Sequence, residues 1–133
     1  MELVATLFVD EFSMRQAPGP STRIDLTGVH FSMAAPSPAP LTLTPHLVAL
    51  IWCPADEPGS GVFEVVFRSG AGADDPEVAR NVSPFTVEPG KFTYRLVRAE
   101  LEFPDYGQVI AHCRIGLGAW HKVPFTLLPP AAA

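Results

Sequence analysis

A metal centre in this chain would have to be assembled from His30, His46, His112, His121, Cys53 and Cys113, together with its carboxylates. Zinc needs such groups convergent at ligand distance. No Cys-x-x-Cys or His-x-x-x-His spacing occurs. His112 and Cys113 are neighbours on one strand-like run, so their side chains point to opposite faces. His112 and His121 would face each other only if their strands pair across the Gly116–Gly118 turn, and two surface histidines are the better reading. No metal and no other cofactor is expected.

Nucleophilic catalysis is no better supplied. It needs a Ser or Cys beside a His and an orienting acid. Gly59-Ser60-Gly61 is a linker, and Gly-x-Ser-x-Gly is absent. Cys53 and Cys113 lie among apolar residues, which raises a thiol pKa, and in a reducing compartment two free buried thiols are the default. The paired acids Asp10-Glu11, Asp56-Glu57 and Asp74-Asp75 are adjacent in sequence rather than set across a cleft, as a glycosidase pair would be. Calcium would require the loops around Asp56 and Asp74 to converge, and no EF-hand spacing supports that. Gly70-Ala71-Gly72 precedes acids rather than a Lys and a helix, so no phosphate loop is present. The chain reads as non-enzymatic.

Composition narrows the partners. Charged residues are 17% of the 133, the net charge is −5, and no run of Lys or Arg exists. Nucleic acid is therefore not an expected partner. The longest apolar run, Leu47 to Cys53, is far too short to span a bilayer, so no membrane role is expected. Met1-Glu2-Leu3 lacks the basic start of a signal peptide, which predicts a cytoplasmic protein.

Positioning falls to strands. Fifteen prolines and ten glycines divide the chain into runs of period two. Glu2–Met14 alternates, with Leu3, Ala5, Leu7 and Val9 assigned inward. Arg15–Thr22 reads as a loop through Pro18-Gly19-Pro20. Arg23–Met33 changes its apolar face across Gly28, which predicts a bulge or a close-packed site there. Ala34–Pro40 is a proline-rich crossing. Leu47–Cys53 is apolar on both faces, as in a strand covered on both sides, and is expected to form a hairpin with Val62–Arg68. Asp75–Val82 has room for a helical turn, and Val82–Val87, broken by Pro84, suits a sheet edge. Phe92–Phe103, Gln108–Ile115 and Trp120–Leu128 complete the set. The expectation is an all-β antiparallel sandwich of about seven to eight strands, immunoglobulin-like or similar. It would be one domain over 1–129, with a disordered tail at 130–133.

Three segments carry a family likeness. Ala5-Thr6-Leu7-Phe8-Val9-Asp10-Glu11 followed by Ile24-Asp25-Leu26-Thr27-Gly28-Val29 resembles the opening hairpin of a family of small bacterial β-sandwich proteins known only as a domain of unknown function. Leu47–Leu50 with Phe63–Phe67, and Phe103–Val109 with Pro124–Leu127, resemble its later strands. At the penultimate strand the family has Gly followed by an aromatic, where this chain has Gly107-Gln108. The resemblance implies the fold, a bacterial origin and structural roles for Asp10, Gly28 and Gly107. It implies no activity.

What stands out is apolar residues on faces where a lone sandwich should be polar. Phe8, Trp52, Ile110 and Trp120, with Val4, are assigned to outward faces and form the candidate interaction surface. The function expected is a protein-interaction or assembly module, with a second copy of itself as partner, in a dimer, or another protein. The alternative is a small-ligand or carbohydrate binder using the loops at one end.

Overall fold

A computed structural model describes residues 1–19 and 21–131. Within them the chain forms eleven strands: β1 (Glu2–Ala17), β2 (Ser21–His30), β3 (Ser32–Ala34), β4 (Leu41–Leu43), β5 (His46–Trp52), β6 (Ser60–Arg68), β7 (Glu77–Thr86), β8 (Phe92–Arg98), β9 (Leu101–Phe103), β10 (Gly107–Ile115) and β11 (His121–Leu128). No helix occurs among the described residues, so the fold is all-β, and no helix is long and apolar enough to cross a membrane. The count exceeds the expected seven or eight because two long runs are each divided between sheets and a short strand, β4, was not foreseen. Of the expected tail, Pro130 and Ala131 carry no strand, and 132–133 lie outside the described residues, as does Pro20.

The first sheet has the order β2-β1-β5-β8, the second β3-β11-β10-β6-β7, and β4 pairs separately with β9. Every pairing is antiparallel except β11 with β3, which is parallel. The two larger sheets share one core, as in a β-sandwich. Phe8, Leu47, Ala49 and Ile51 from the first meet Phe63, Val65, Phe67, Ala111, Cys113 and Phe125 from the second. Phe8 and Phe125 stack with ring centroids 5.2 Å apart. Full burial of such side chains contributes about 1.5–3 kcal/mol each.

Several expectations are corrected. Arg15–Thr22 is not mainly a loop, because β1 runs to Ala17 and pairs with β2 as far as Ala17↔Ser21. Asp75–Val82 holds no helical turn; from Glu77 it is the edge strand β7, antiparallel to β6, with Pro84 inside it. β5 and β6 form no hairpin but lie in different sheets. The run Phe92–Phe103 breaks after Arg98, and Leu101–Phe103 pairs with Leu41–Leu43 instead.

One bulge governs the N-terminal strand. Leu3 pairs with Ile51 and Ala5 with Leu50, which leaves Val4 as the extra residue. A bulge reverses the alternation that follows it. Leu3 faces the core before it, and Phe8 faces the core after it. Val4 itself is 52% exposed.

At the open side of the sandwich the edge strands β7 and β8 are laced by one side chain. Arg95 donates from Nη2 to the Pro84 carbonyl at 3.2 Å, and its guanidinium lies over the Phe85 ring.

Candidate interaction surface

The outer face of the first sheet is built from alternate residues of β5 and β8. Leu47, Ala49 and Ile51 belong to the core, so Val48, Leu50 and Trp52 point away from it. Their cross-strand partners on β8 are Leu96, Tyr94 and Phe92. The face is therefore apolar across both strands. Trp52 and Phe92 stack at 4.8 Å, and Phe92 is 61% exposed. Val4 adjoins them from the bulge, between the partners of Ile51 and Leu50.

Part of this face is covered by the chain itself. Val48 is buried although it points outward. Phe12, from the distal half of β1, stacks on Tyr94 at 4.7 Å. Between that half of β1 and the sheet lies a cleft of about 280 Å³, lined by Glu11, Phe12, His46, Leu96 and Arg98 among others. The hairpin thus leans over one end of the face and leaves the Trp52–Phe92 end open.

The four aromatic and aliphatic residues assigned to the surface each have a different placement. Phe8 is fully buried, which corrects its outward assignment; the bulge at Val4 turns it inward. Ile110 does point away from the core, but it is only 8% exposed and offers no docking surface. It stands between Arg68 and Pro124, and the segment 69–76 folds back on that face. Within that segment the Gly70 carbonyl accepts from His112 Nε2 at 2.9 Å, and the Asp75 carbonyl accepts from Arg68 Nη1 at 2.9 Å. Trp120 is half-buried and already capped, with the Arg114 guanidinium 4.1 Å from its ring centre and the His112 ring edge-on to it. Trp52 alone keeps an open aromatic neighbour. The partners missed by sequence reading, Phe92 and Tyr94, had a signal in the alternation Phe92-Thr93-Tyr94. The charged Arg98, Glu100 and Glu102 follow on the same period-two face and hide it.

The three residues given structural roles are placed as follows. Gly28 has φ +68°, and a side chain there would overlap the Asp10 carboxylate. The pairing is Val9↔Val29 on one side of it and Glu11↔Thr27 on the other, equal counts on both strands, so Gly28 is a close-packed site and not a bulge. Asp10 also meets His30, whose Nε2 lies 3.3 Å from Asp10 Oδ1. Gly107 opens β10 with φ +147°, a region that favours glycine, in open space.

The chemical residues stay apart. His112 pairs with Lys122 and Cys113 with His121, so the two histidines do not face each other. Among the described residues no three His, Cys, Asp or Glu side chains gather as a metal-ligand group. Cys53 and Cys113 are free and buried, and burial pushes the Cys113 thiol up to about 12. At the ends of the strands, Val9, Asp10, His30, Met33, Thr44 and His46 line a cavity of about 190 Å³. The His30 Nδ1 is buried there without a hydrogen-bond partner. No protein-family model matches this chain, and no curated protein matches it either.

Proposed function

We propose that this protein is a non-enzymatic interaction or assembly module that associates with a second copy of itself. The observation that supports it is the open end of the first sheet's outer face. Trp52 stacks there on Phe92, which is 61% exposed, beside the exposed Val4. Stacked aromatics on an otherwise apolar face are the residue types that dominate protein interfaces. A two-fold contact would place the Trp52 patch of one copy on that of the other. The immunoglobulin-like type of sandwich and kinship with the small bacterial β-sandwich family belong to the same proposal, and neither supplies an activity.

Sedimentation at micromolar concentration tests this. Wild type is expected above the monomer mass. Trp52→Glu is expected to lower that mass by weakening this contact, because burying one aromatic at such a contact is worth about 2 kcal/mol or more. Trp120→Glu is expected to leave the mass unchanged, since Arg114 already covers that ring. A monomeric wild type rejects self-association.

A second reading, small-ligand binding at one end of the sandwich, is favoured by one feature. His30, whose Nδ1 is unpartnered, lines a largely apolar cavity that also holds the polar groups of Asp10, Thr44 and His46. A sugar or other polyol offers the hydroxyls those groups would pair with. Saturation-transfer NMR with a panel of monosaccharides, compared between wild type and His30→Phe, tests it; no transfer to any sugar removes the reading.

A further inference from the structure

The hairpin of β1 and β2 outruns its sheet. β5 begins at His46, opposite Val9, so Glu11–Ala17 pair only with Ser21–Thr27. A two-stranded ribbon alone is marginal in water and gains from a third strand. On its β1 side the ribbon leans on the sandwich through Phe12 and Tyr94. On its other side, β2 ends the order of its sheet, and its outward N–H and C=O groups have no strand to meet. The remaining sheet edges are guarded. β7 contains Pro84, β8 is tied to β7 by Arg95, and β3 is three residues long. Between Ser21 and Thr27, β2 has neither proline nor bulge.

Charge indicates what lies along that edge. Arg15 and Arg23 are directly opposite each other on the hairpin, an arrangement that is destabilising by itself. Arg15 turns away to Asp25, with Nε 2.7 Å from Oδ2. Arg23 forms no ion pair among the described residues. We propose that a second copy of the chain lays its own β2 antiparallel along this edge, about a two-fold axis at Ile24. In that register Arg23 stands opposite the partner's Asp25, and Asp25 opposite the partner's Arg23. Each Asp25 then lies between two guanidiniums, and each unpaired Arg23 gains a carboxylate. The β1 edge carries a similar pattern, Glu11 and Arg15 about Ser13, but Arg15 is already held by Asp25 and that side faces the sandwich. Pairing at β2 joins two four-stranded sheets into one continuous sheet.

This contact rests on the self-association proposed above and is separate from the Trp52 face. The test is sedimentation equilibrium of wild type, Arg23→Asp, and Arg23→Asp combined with Asp25→Arg. Arg23→Asp is benign within one chain, because the new carboxylate faces Arg15 across the hairpin, and an unchanged thermal melt checks that. Across the axis it sets carboxylate against carboxylate, so association should weaken roughly ten-fold or more. The double variant exchanges the two signs and should restore wild-type association. A wild type that associates while Arg23→Asp does so equally well overturns the edge contact and leaves self-association standing. Weakening that the double variant fails to restore overturns the register about Ile24. A monomeric wild type overturns both proposals.

Discussion

The Asp10 carboxylate occupies the space that a side chain at Gly28 would need, and Gly28 holds the positive φ that its own lack of a side chain permits. Two costs therefore meet at one position. Gly28→Ala should destabilise by about 1–3 kcal/mol, from backbone strain and from crowding. Asp10→Ala in the same chain should recover only the crowding part. Urea unfolding of the two single variants and the pair separates the terms. Full recovery in the pair would mean that φ carries no cost here.

Val4 is the extra residue in the β1–β5 ladder. Its deletion leaves Leu3 opposite Ile51 and Ala5 opposite Leu50, with a regular ladder between them. The deletion is therefore expected to cost less than about 1 kcal/mol, whereas deleting Phe8 removes a fully buried side chain and closes the ladder only by reversing the faces of Ala5, Thr6 and Leu7, and should cost several. Thermal melting of the two deletions gives the comparison. Equal losses would show that the bulge itself is required.

Cys113 is a buried thiol whose pKa is pushed up to about 12 by desolvation. In the unfolded chain a cysteine ionises near pH 8.5. Between those values the unfolded state releases a proton that the native state keeps. Stability from this group is thus complete below about pH 8.5 and falls as pH rises toward 12, with a limiting slope of about 1.4 kcal/mol per pH unit. Cys113→Ala should flatten that slope in unfolding curves taken from pH 8 to 10. The same burial predicts slow alkylation of Cys53 and Cys113 in native protein and full alkylation after denaturation; rapid native labelling would contradict it.

Glu64 holds two guanidiniums on the outer face of the second sheet, Arg114 Nε at 2.9 Å and Arg80 Nη1 at 3.1 Å. Its side chain is only 15% exposed, so the pairs are partly shielded. Glu64→Gln keeps the shape and removes the charge. A loss of about 1–2 kcal/mol is expected at low salt, shrinking only in part in 1 M salt because the pairs are shielded. A loss unaffected by salt would assign the effect to packing.

Where alternation was clean, the strands could be read from the residues: β6, β10 and β11 begin and end close to their apolar runs. Faces were harder. Leu3, Ala5 and Leu7 invite one phase and Val4 and Phe8 the other, and only the pairing with β5 reveals that a bulge joins the two phases. Partners were hardest, because period two defines a face and not a neighbour. Nothing local separates β5 from β6, or divides Phe92–Phe103 between two sheets. Edge strand β7 is exposed on much of its length, so it lacked the alternation that would have excluded a helical turn. For the candidate surface, the outward place of Trp52 is legible from a strand apolar on both faces, whereas the apolar phase change across Gly28 suggests a bulge that the equal pairing there does not contain. Ile110 and Trp120 were not legible, since their covers, Arg68 and Arg114, are charged side chains whose long stems shield apolar neighbours.

The parallel pairing of β3 with β11 sets Ser32–Ala34 beside Thr126–Leu128. The Phe8–Phe125 contact likewise ties β1 to β11. During synthesis the ribosome releases Phe8 long before Phe125 exists as a partner. Throughout that interval the apolar inner face of the first sheet has only part of the second sheet to meet it, and pairings this distant in sequence form slowly. A nascent chain of this fold should therefore stay exposed to chaperone binding and to aggregation until β11 leaves the exit tunnel. Truncations that end before Val123 should accumulate as insoluble protein rather than as a smaller folded unit.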